Sequence, residues 1–198
     1  MGTSSTYSAL AGSTLTNTGN SAVYGDLGVS AGTSITGIPP GIVFNGTTHS
    51  NDASAIQGKI DLTSAYNYAV AQTGAIDLTG LDLGGMTLVP GVYKYTSSAQ
   101  LTGILTLDGG GDPNSQWIFQ IGSTLTTAAS SFIGMINGGI PGNVIWQIGT
   151  LATLGASNAF MGNILANASI TVGASTSIDG RLFARTGAIS LSTNVIRG

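Results

Sequence analysis

Apolar and polar residues alternate over short stretches along most of the chain, which is the period of a β-strand. Turn residues separate these stretches, for example at Pro39-Pro40-Gly41, Pro90-Gly91 and Pro141-Gly142. The clearest strand candidates are Thr14 to Thr16, Gly41 to Phe44, Met86 to Val89, Val92 to Tyr95, Ile104 to Leu107 and Ile189 to Leu191. The pattern predicts a mainly β fold built from many short strands.

The C-terminal third contains an internal repeat. Segment 153–166 aligns with segment 171–184 at a shift of 18 residues, and six of the 14 aligned pairs are identical. A second pair of similar segments, 118–122 and 145–149, lies 27 residues apart. Such unequal spacings favour a β-solenoid with loops of variable length over a propeller, whose blades have nearly constant size.

Residues 52–73 break the alternation and are interpreted as one α-helix. Asn51, Asp52 or Ser54 could cap its N-terminus, while Gly58 weakens its interior. Apolar and weakly polar residues follow one another at spacings of three and four, and the predicted stripe is Ile56, Ile60, Thr63, Tyr66 and Val70. We expect this stripe to pack along the solenoid.

The composition narrows the possible functions. A length of 198 residues favours a single domain over residues 1–198. Charged residues make up 7% of the chain and the net charge is −3, which argues against nucleic-acid binding. No run approaches the roughly 18 apolar residues of a membrane-spanning helix. Thr, Ser, Asn and Gly together supply 90 of the 198 residues, so the surface is expected to be polar but uncharged.

Residues suited to catalysis are sparse. His49 is the only histidine and has no acidic neighbour expected to hold a catalytic triad, and the eight Asp residues are scattered without any Glu. The run from Asp108 to Asp112 is interpreted as a turn, because further oxygen ligands for calcium are not evident. Without cysteine, a thiolate metal site is excluded. We therefore predict no catalytic residue, no metal site and no cofactor.

Small polar patches precede the apolar-x-Gly-x-apolar core of each repeat, at residues 18–21, 127–130, 156–159 and 174–177. Two interpretations are open. The patches could form internal ladders and corner turns of the solenoid. Alternatively, they could form a flat outer face whose groups repeat at ~4.8 Å between coils and ~6.7 Å along each strand. The spacing leaves the strand phase at the last two patches undecided.

Seven segments give the chain a resemblance to a known family. They are LAGSTLTNTG (10–19), GDLGVSAG (25–32), ITGIPPG (35–41), DLTSAYN (61–67), LVPGVY (88–93), WIFQIGSTL (117–125) and GRLFARTGA (180–188). The chain resembles the microbial ice-binding, or antifreeze, family. The resemblance implies an irregular right-handed β-helix of triangular cross-section with a long helix packed alongside, in which the N-terminal coil stacks beside the C-terminal coil instead of the next coil in sequence.

The resemblance also implies that one flat face binds ice. Some bacterial members carry a Thr-Ala/Gly-x-Thr/Asn motif there; patches 18–21 and 127–130 match it with Ser in the last place, whereas the patches at Ala156 and Ala174 begin with Ala. The predicted ice-binding residues are Thr18, Asn20, Ser21, Thr127, Ala129, Ser130, Ser157, Asn158, Ser175, Thr176, Ser177 and Thr193.

The sequence thus predicts a non-enzymatic, secreted monomer that adsorbs to the ice crystal surface, giving thermal hysteresis and inhibiting ice recrystallisation. The prediction includes no membrane, nucleic-acid or cofactor partner. A surface adhesion module of β-solenoid type is the main alternative, since solenoids present long flat surfaces. A β-helix carbohydrate enzyme is a third possibility and would require clustered carboxylates.

Overall fold

The computed structural model describes residues 2–198 and contains 24 strands and one α-helix within that range. Helix α1 spans Ala53–Val70, inside the predicted range 52–73, and short 3-10 turns lie at Gly2–Thr6 and Pro141–Asn143. The strands are β1 (Tyr7–Ala11), β2 (Thr14–Thr18), β3 (Ala22–Tyr24), β4 (Asp26–Val29), β5 (Ser34–Thr36), β6 (Ile42–Phe44), β7 (Thr48–Ser50), β8 (Ile76–Asp77), β9 (Thr87–Leu88), β10 (Gly91–Tyr95), β11 (Ala99–Leu101), β12 (Ile104–Asp108), β13 (Trp117–Ile121), β14 (Leu125–Thr127), β15 (Phe132–Ile136), β16 (Val144–Ile148), β17 (Ala152–Leu154), β18 (Ala159–Met161), β19 (Asn163–Ala166), β20 (Ile170–Val172), β21 (Ser177–Asp179), β22 (Leu182–Ala184), β23 (Ile189–Ser192) and β24 (Val195–Arg197).

The strands form three parallel sheets, one on each side of a solenoid. Sheet A has the order β7-β4-β1-β22-β19-β16-β13-β10-β8. Sheet B has the order β11-β14-β17-β20-β23-β2-β5, and sheet C has β6-β3-β24-β21-β18-β15-β12-β9. Seven coils contribute one strand to each sheet, while β7 and β8 extend sheet A alone and β9 extends sheet C. This architecture confirms the predicted mainly β solenoid with a single long helix.

The first coil of the chain stacks between two coils, namely the last coil and the next one in sequence. Strand β1 lies between β4 and β22, with Ala9 opposite Leu182. Strands β2 and β3 likewise pair with β23 and β24. The contact with the last coil is confirmed, but the expectation that it replaces the contact with the next coil in sequence was wrong, because each of β1, β2 and β3 has two free edges and pairs with both neighbours.

The interior of the solenoid is filled by the inward-facing residues of all three sheets. Its largest members are aromatic; Tyr93, Phe119 and Trp146 stack along successive coils of sheet A, and Phe160 of sheet C contacts Trp146. Ring centroids lie 5.5 Å apart between Tyr93 and Phe119, 3.9 Å between Phe119 and Trp146, and 5.3 Å between Trp146 and Phe160. The indole Nε1 of Trp146 donates a hydrogen bond to the Met161 carbonyl at 3.0 Å. These four rings are therefore core residues, as expected for rings within apolar alternations, whereas Phe132 is 41% exposed.

Helix α1 packs on the outer side of sheet A, but with a different face from the predicted one. Of the predicted stripe, Tyr66 is buried, whereas Ile56, Ile60 and Val70 are 46%, 55% and 51% exposed. The buried helix residues are Ala55, Gly58, Leu62, Tyr66 and Ala69, which also recur at spacings of three and four. The stripe prediction was wrong for Ile56, Ile60 and Val70, because hydrophobicity alone did not identify the face on which Ala55, Gly58 and Ala69 let the helix approach the sheet beside Leu62 and Tyr66.

Gly58 marks the closest approach between helix and sheet. A Cβ atom at this position would lie 3.1 Å from both Leu10 and Tyr7. The glycine therefore costs helix propensity but allows the helix to contact the strand closely. Gly58 therefore lowers the helix propensity, as the sequence suggested, but it also makes room for the contact between the helix and β1.

Replacing Gly58 with Leu is expected to lower the free energy of unfolding by about 2 kcal/mol, because the added side chain forces the helix away from β1. Asn67→Leu is the matched control, since Asn67 is exposed on the same helix and should change stability by less than about 0.5 kcal/mol. Urea unfolding of both variants measures the difference. Equal stabilities would show that the helix contact tolerates a larger residue.

Lys59 connects the helix to the end of β22 and the corner that follows it through two hydrogen bonds. Its Nζ donates hydrogen bonds to the carbonyl oxygens of Ala184 and Arg185, both at 2.6 Å. Burial, followed by repulsion from the Arg185 guanidinium, lowers the pKa of Lys59 from 10.5 to about 8. A neutral amine retains two N–H groups, so both hydrogen bonds survive loss of the proton.

This lowered pKa predicts that the protein becomes more stable between about pH 8 and pH 10. In that window the unfolded chain keeps the Lys59 proton and the folded chain does not, so the free energy of unfolding rises, by about 1–3 kcal/mol. Above about pH 10 the trend reverses, since burial raises the pKa of Tyr95 to about 12 and unfolded tyrosine ionises first. Denaturant unfolding across this range tests the prediction. The Lys59→Met variant should lose the rise, and a wild-type stability that falls from pH 8 would contradict it.

Candidate functional site

The outer sides of the three sheets differ sharply. Helix α1 covers the outer side of sheet A, and the residues buried between the helix and the sheet form a second hydrophobic cluster. Sheet C carries bulky exposed residues of unequal size, namely Tyr24, Ile42, Phe44, Ile104, Phe132 and Ile136. It also carries charges at Asp108, Asp179 and Arg197. Sheet B is the uncovered side that has neither charges nor aromatic rings among its outward residues.

A continuous row of seven polar side chains, six of which carry a hydroxyl group, runs along the middle of the outer side of sheet B. Neighbouring strands place the row in direct register, in the order Gln100, Thr126, Thr153, Thr171, Ser190, Thr16 and Thr36. Five of the seven members are threonine. Every member except Thr36 lies between two buried residues, as the alternation of a half-buried strand requires. We call this set the Thr row.

Small residues flank the Thr row on both sides. The outward positions before it are Ser98, Thr124, Leu151, Ser169, Ala188, Thr14 and Ser34, and those after it are Thr102, Ala128, Gly155, Gly173, Ser192 and Thr18. None is charged, and Leu151 alone has a large apolar side chain. We call the three rows together the B face. Apart from Gln100 and Leu151, the side chains of the B face are short.

The hydroxyl groups of the Thr row are available to water. Within residues 2–198, the side chains of Thr126, Thr153, Thr171 and Thr36 form no hydrogen bond to protein, and Thr16 Oγ1 donates to Ser190 Oγ at 3.3 Å. Behind the row lies a packed core, so the backbone cannot shift freely. The face thus presents methyl groups and hydroxyls on a rigid grid of ~4.8 Å by ~6.7 Å.

The residues predicted as the ice-binding site lie mostly beside this face, at the turn between sheets B and C. Thr18 is on the edge of the B face, and Ser177 begins β21 of sheet C. Asn20 and Ala129 are exposed in the turn itself. Ser130, Ser157, Ser175 and Thr193 occupy equivalent places in successive coils, with φ between 53° and 60°. We call this turn the B/C corner.

Four of the predicted residues are buried and cannot contact a surface: Ser21, Thr127, Asn158 and Thr176. They hydrogen-bond within the corner. Asn158 Nδ2 donates to the carbonyls of Ala128 and Gly155 at 3.0 and 2.7 Å. Thr176 Oγ1 also donates to the Gly155 carbonyl, at 2.8 Å. The internal-ladder interpretation is therefore correct for these four residues, because turn carbonyls at a solenoid corner need donors that the sheets cannot supply.

The Asn158→Ala substitution is expected to cost about 1–3 kcal/mol of unfolding free energy, because it removes both hydrogen bonds and leaves the Ala128 carbonyl without its side-chain donor, whereas the Gly155 carbonyl keeps Thr176. Asn20→Ala is the control, since Asn20 is exposed in the equivalent turn of the first coil and should change little. Chemical denaturation of both variants measures the cost. A loss no larger than that of the control would show that solvent satisfies these carbonyls.

His49 has an acidic partner that the sequence did not suggest. Its Nδ1 lies 2.8 Å from Asp52 Oδ2, and its Nε2 lies 2.9 Å from Thr47 Oγ1. Asp52 Oδ1 accepts the backbone N–H of Ala55 and so caps helix α1. The expectation that no acid lies near His49 was wrong, but the group is positioned by a helix cap at the end of the solenoid, which is a structural role.

Two absences hold for the part of the chain that the structure describes. Residues 2–198 contain no group of three His, Cys, Asp or Glu side chains arranged to hold a metal ion. In the same range, α1 does not meet the length and hydropathy needed to cross a bilayer.

Comparison with known proteins identifies the family. A family model described as ice-binding-like matches residues 9–197. An ice-binding protein from Nostoc sp. (strain HG1) is 55% identical over 197 residues, covering 99% of this chain and 72% of the relative. The chain belongs to the ice-binding-like family.

Solved structures agree with this assignment. The ice-binding protein of the Antarctic ascomycete Antarctomyces psychrotrophicus superposes with a TM-score of 0.95 at 41% identity, covering 99% of this chain and 96% of that one. A domain of ice-binding protein 1 from Shewanella frigidimarina gives 0.89 at 31% identity, covering 99% and 95%. These members of the ice-binding-like family are named for ice binding and not for an enzymatic activity.

Proposed function

We propose that this protein adsorbs to ice through the B face. The observation that carries the proposal is the Thr row, a line of seven polar side chains in direct register across one flat sheet. Relatives of this protein are named ice-binding proteins, which supports ice as the ligand. Sheets A and C are poorer candidates, because one is covered by α1 and the other is uneven and partly charged.

The proposed mechanism depends on ordered water. Threonine methyl groups restrict the water next to them, while the free hydroxyls hydrogen-bond to it and fix its position. Because the grid is rigid before binding, little conformational entropy is lost on adsorption. The spacing is of the same scale as oxygen spacings in ice, so the bound water can merge with the crystal. Charges would orient water differently, and this face has none.

Adsorption on a growing front explains the expected activities. An adsorbed molecule stops growth beneath it, the front curves between neighbouring molecules, and the freezing point falls. Boundaries between small crystals are blocked in the same way, which inhibits recrystallisation. We propose that the protein acts as a secreted monomer without a cofactor, because ice forms outside the cell and one B face suffices for adsorption.

Nanolitre osmometry and a recrystallisation assay test the proposal directly. At micromolar concentration we expect a gap between the freezing and melting points, faceted crystals and arrested recrystallisation. Labelled protein should also accumulate on defined planes of a single ice crystal. Normal crystal growth together with exclusion of the labelled protein from ice would reject the proposal, and binding to cells or glycans instead would favour an adhesion module.

A further inference from the structure

The chain has only five basic residues, and two of them lie together where α1 meets the solenoid. Lys59 projects from the helix, and Arg185 follows β22 on the opposite wall. Arg185 Nη1 donates to Asn167 Oδ1 at 3.0 Å, and its guanidinium carbon lies 4.4 Å from the centre of the Tyr66 ring. Both residues line the same groove of about 500 Å³, together with Ser30, Ile56, Ile60 and Thr63 among others.

No carboxylate balances these two charges. Within residues 2–198 the ion pair found is His49–Asp52, which involves neither Lys59 nor Arg185. The Nε atom of Arg185 is buried and has no hydrogen-bond partner. The Lys59 ammonium uses two of its three donors on backbone carbonyls. A half-buried pair of like charges with unused donors is electrostatically costly unless an anion is nearby.

We propose that this groove binds a small oxyanion between Lys59 and Arg185. Phosphate, sulfate and carboxylate share the required chemistry, since each offers several oxygen acceptors to an ammonium and a guanidinium group. The ion would occupy the groove beside the helix, on sheet A and away from the B face. Bound there, it would offset the repulsion between the Lys59 ammonium and the Arg185 guanidinium and would strengthen the contact between α1 and the solenoid.

Calorimetric titration of the folded protein with inorganic phosphate is the direct test, with sulfate and acetate as further arms at constant ionic strength. We expect saturable binding with one site. At about five times the dissociation constant, phosphate should raise the melting temperature by about 2–4 °C over chloride. Binding of acetate alone would identify a carboxylate ligand in place of an inorganic ion. Absence of saturable heat with all three anions would overturn the proposal.

Three variants separate a specific site from the general stabilising effect of such salts. Lys59→Met and Arg185→Gln should lose the saturable binding, whereas Lys94→Gln, which removes an exposed positive charge elsewhere, should keep it. Should either variant fold poorly, the NMR titration of Lys59 in the wild-type protein replaces it, and phosphate should raise the pKa of this residue. Equal phosphate effects in all three variants, or an unchanged Lys59 titration, would refute the site.

Discussion

Replacing Thr171 with Tyr should remove most of the thermal hysteresis while leaving the fold intact. Thr171 is the central member of the Thr row and is exposed between Thr153 and Ser190. A tyrosine ring there would stand well above its neighbours and hold a planar ice surface away from both halves of the row. Because the position is exposed, the free energy of unfolding should change by no more than about 0.5 kcal/mol.

The matched control places the same substitution on the neighbouring sheet. Thr106 lies outward on β12 of sheet C, between buried Leu105 and Leu107. The Thr106→Tyr variant should keep full thermal hysteresis and recrystallisation inhibition. Osmometry and thermal unfolding of both variants, at matched concentration, complete the test. If Thr106→Tyr loses activity and Thr171→Tyr keeps it, sheet C and not the B face contacts ice.

The architecture could be predicted from the sequence because it depends on periodicity. Alternation at period two, turn residues and an 18-residue repeat are local features, and each requires a short strand followed by a corner. The placement of β1 between β4 and β22 has no such local signal. The family resemblance implied the contact with β22 but not the one with β4, since any of several coils offers a compatible parallel edge.

The candidate site was harder, because its recognition depends on strand phase. Repeated triplets such as Ala152-Thr153-Leu154 and Ile170-Thr171-Val172 place threonine between two apolar residues, and this pattern already marks an outward threonine. We instead predicted the ice-binding residues in the longer polar patches, such as residues 156–159. A patch of consecutive small polar residues is the signature of a turn, and these patches form the B/C corner.

The helix shows the same limit from another side. Ranking by hydrophobicity selected Ile56, Ile60 and Val70. The helix residues buried against sheet A are instead Ala55, Gly58, Leu62, Tyr66 and Ala69. Whether a helical face is buried depends on how closely the partner surface approaches. That distance is set by tertiary structure and is not written in the local sequence.

Tyrosine substitutions at the adjacent residues Thr126 and Thr127 of β14 should have different effects on stability and activity. Of the two, Thr127→Tyr should destabilise the fold more. Thr127 is 3% exposed. Its Oγ1 accepts the backbone N–H of Gly155 at 3.0 Å, and its neighbours in register are Leu101 and Leu154. A tyrosine there overfills the core and removes this acceptor, so we expect a loss of about 3 kcal/mol and a melting temperature lower by about 6–12 °C.

Thr126→Tyr is the counterpart, because Thr126 belongs to the Thr row and faces outward. It should retain the wild-type melting temperature and lose thermal hysteresis, whereas Thr127→Tyr should lose activity only to the extent that it unfolds at the assay temperature. Circular-dichroism melts and osmometry on the two variants therefore separate adsorption from packing within one strand. A stable, inactive Thr127→Tyr protein would place Thr127 at the ice contact and would mean that the phase of β14 is reversed.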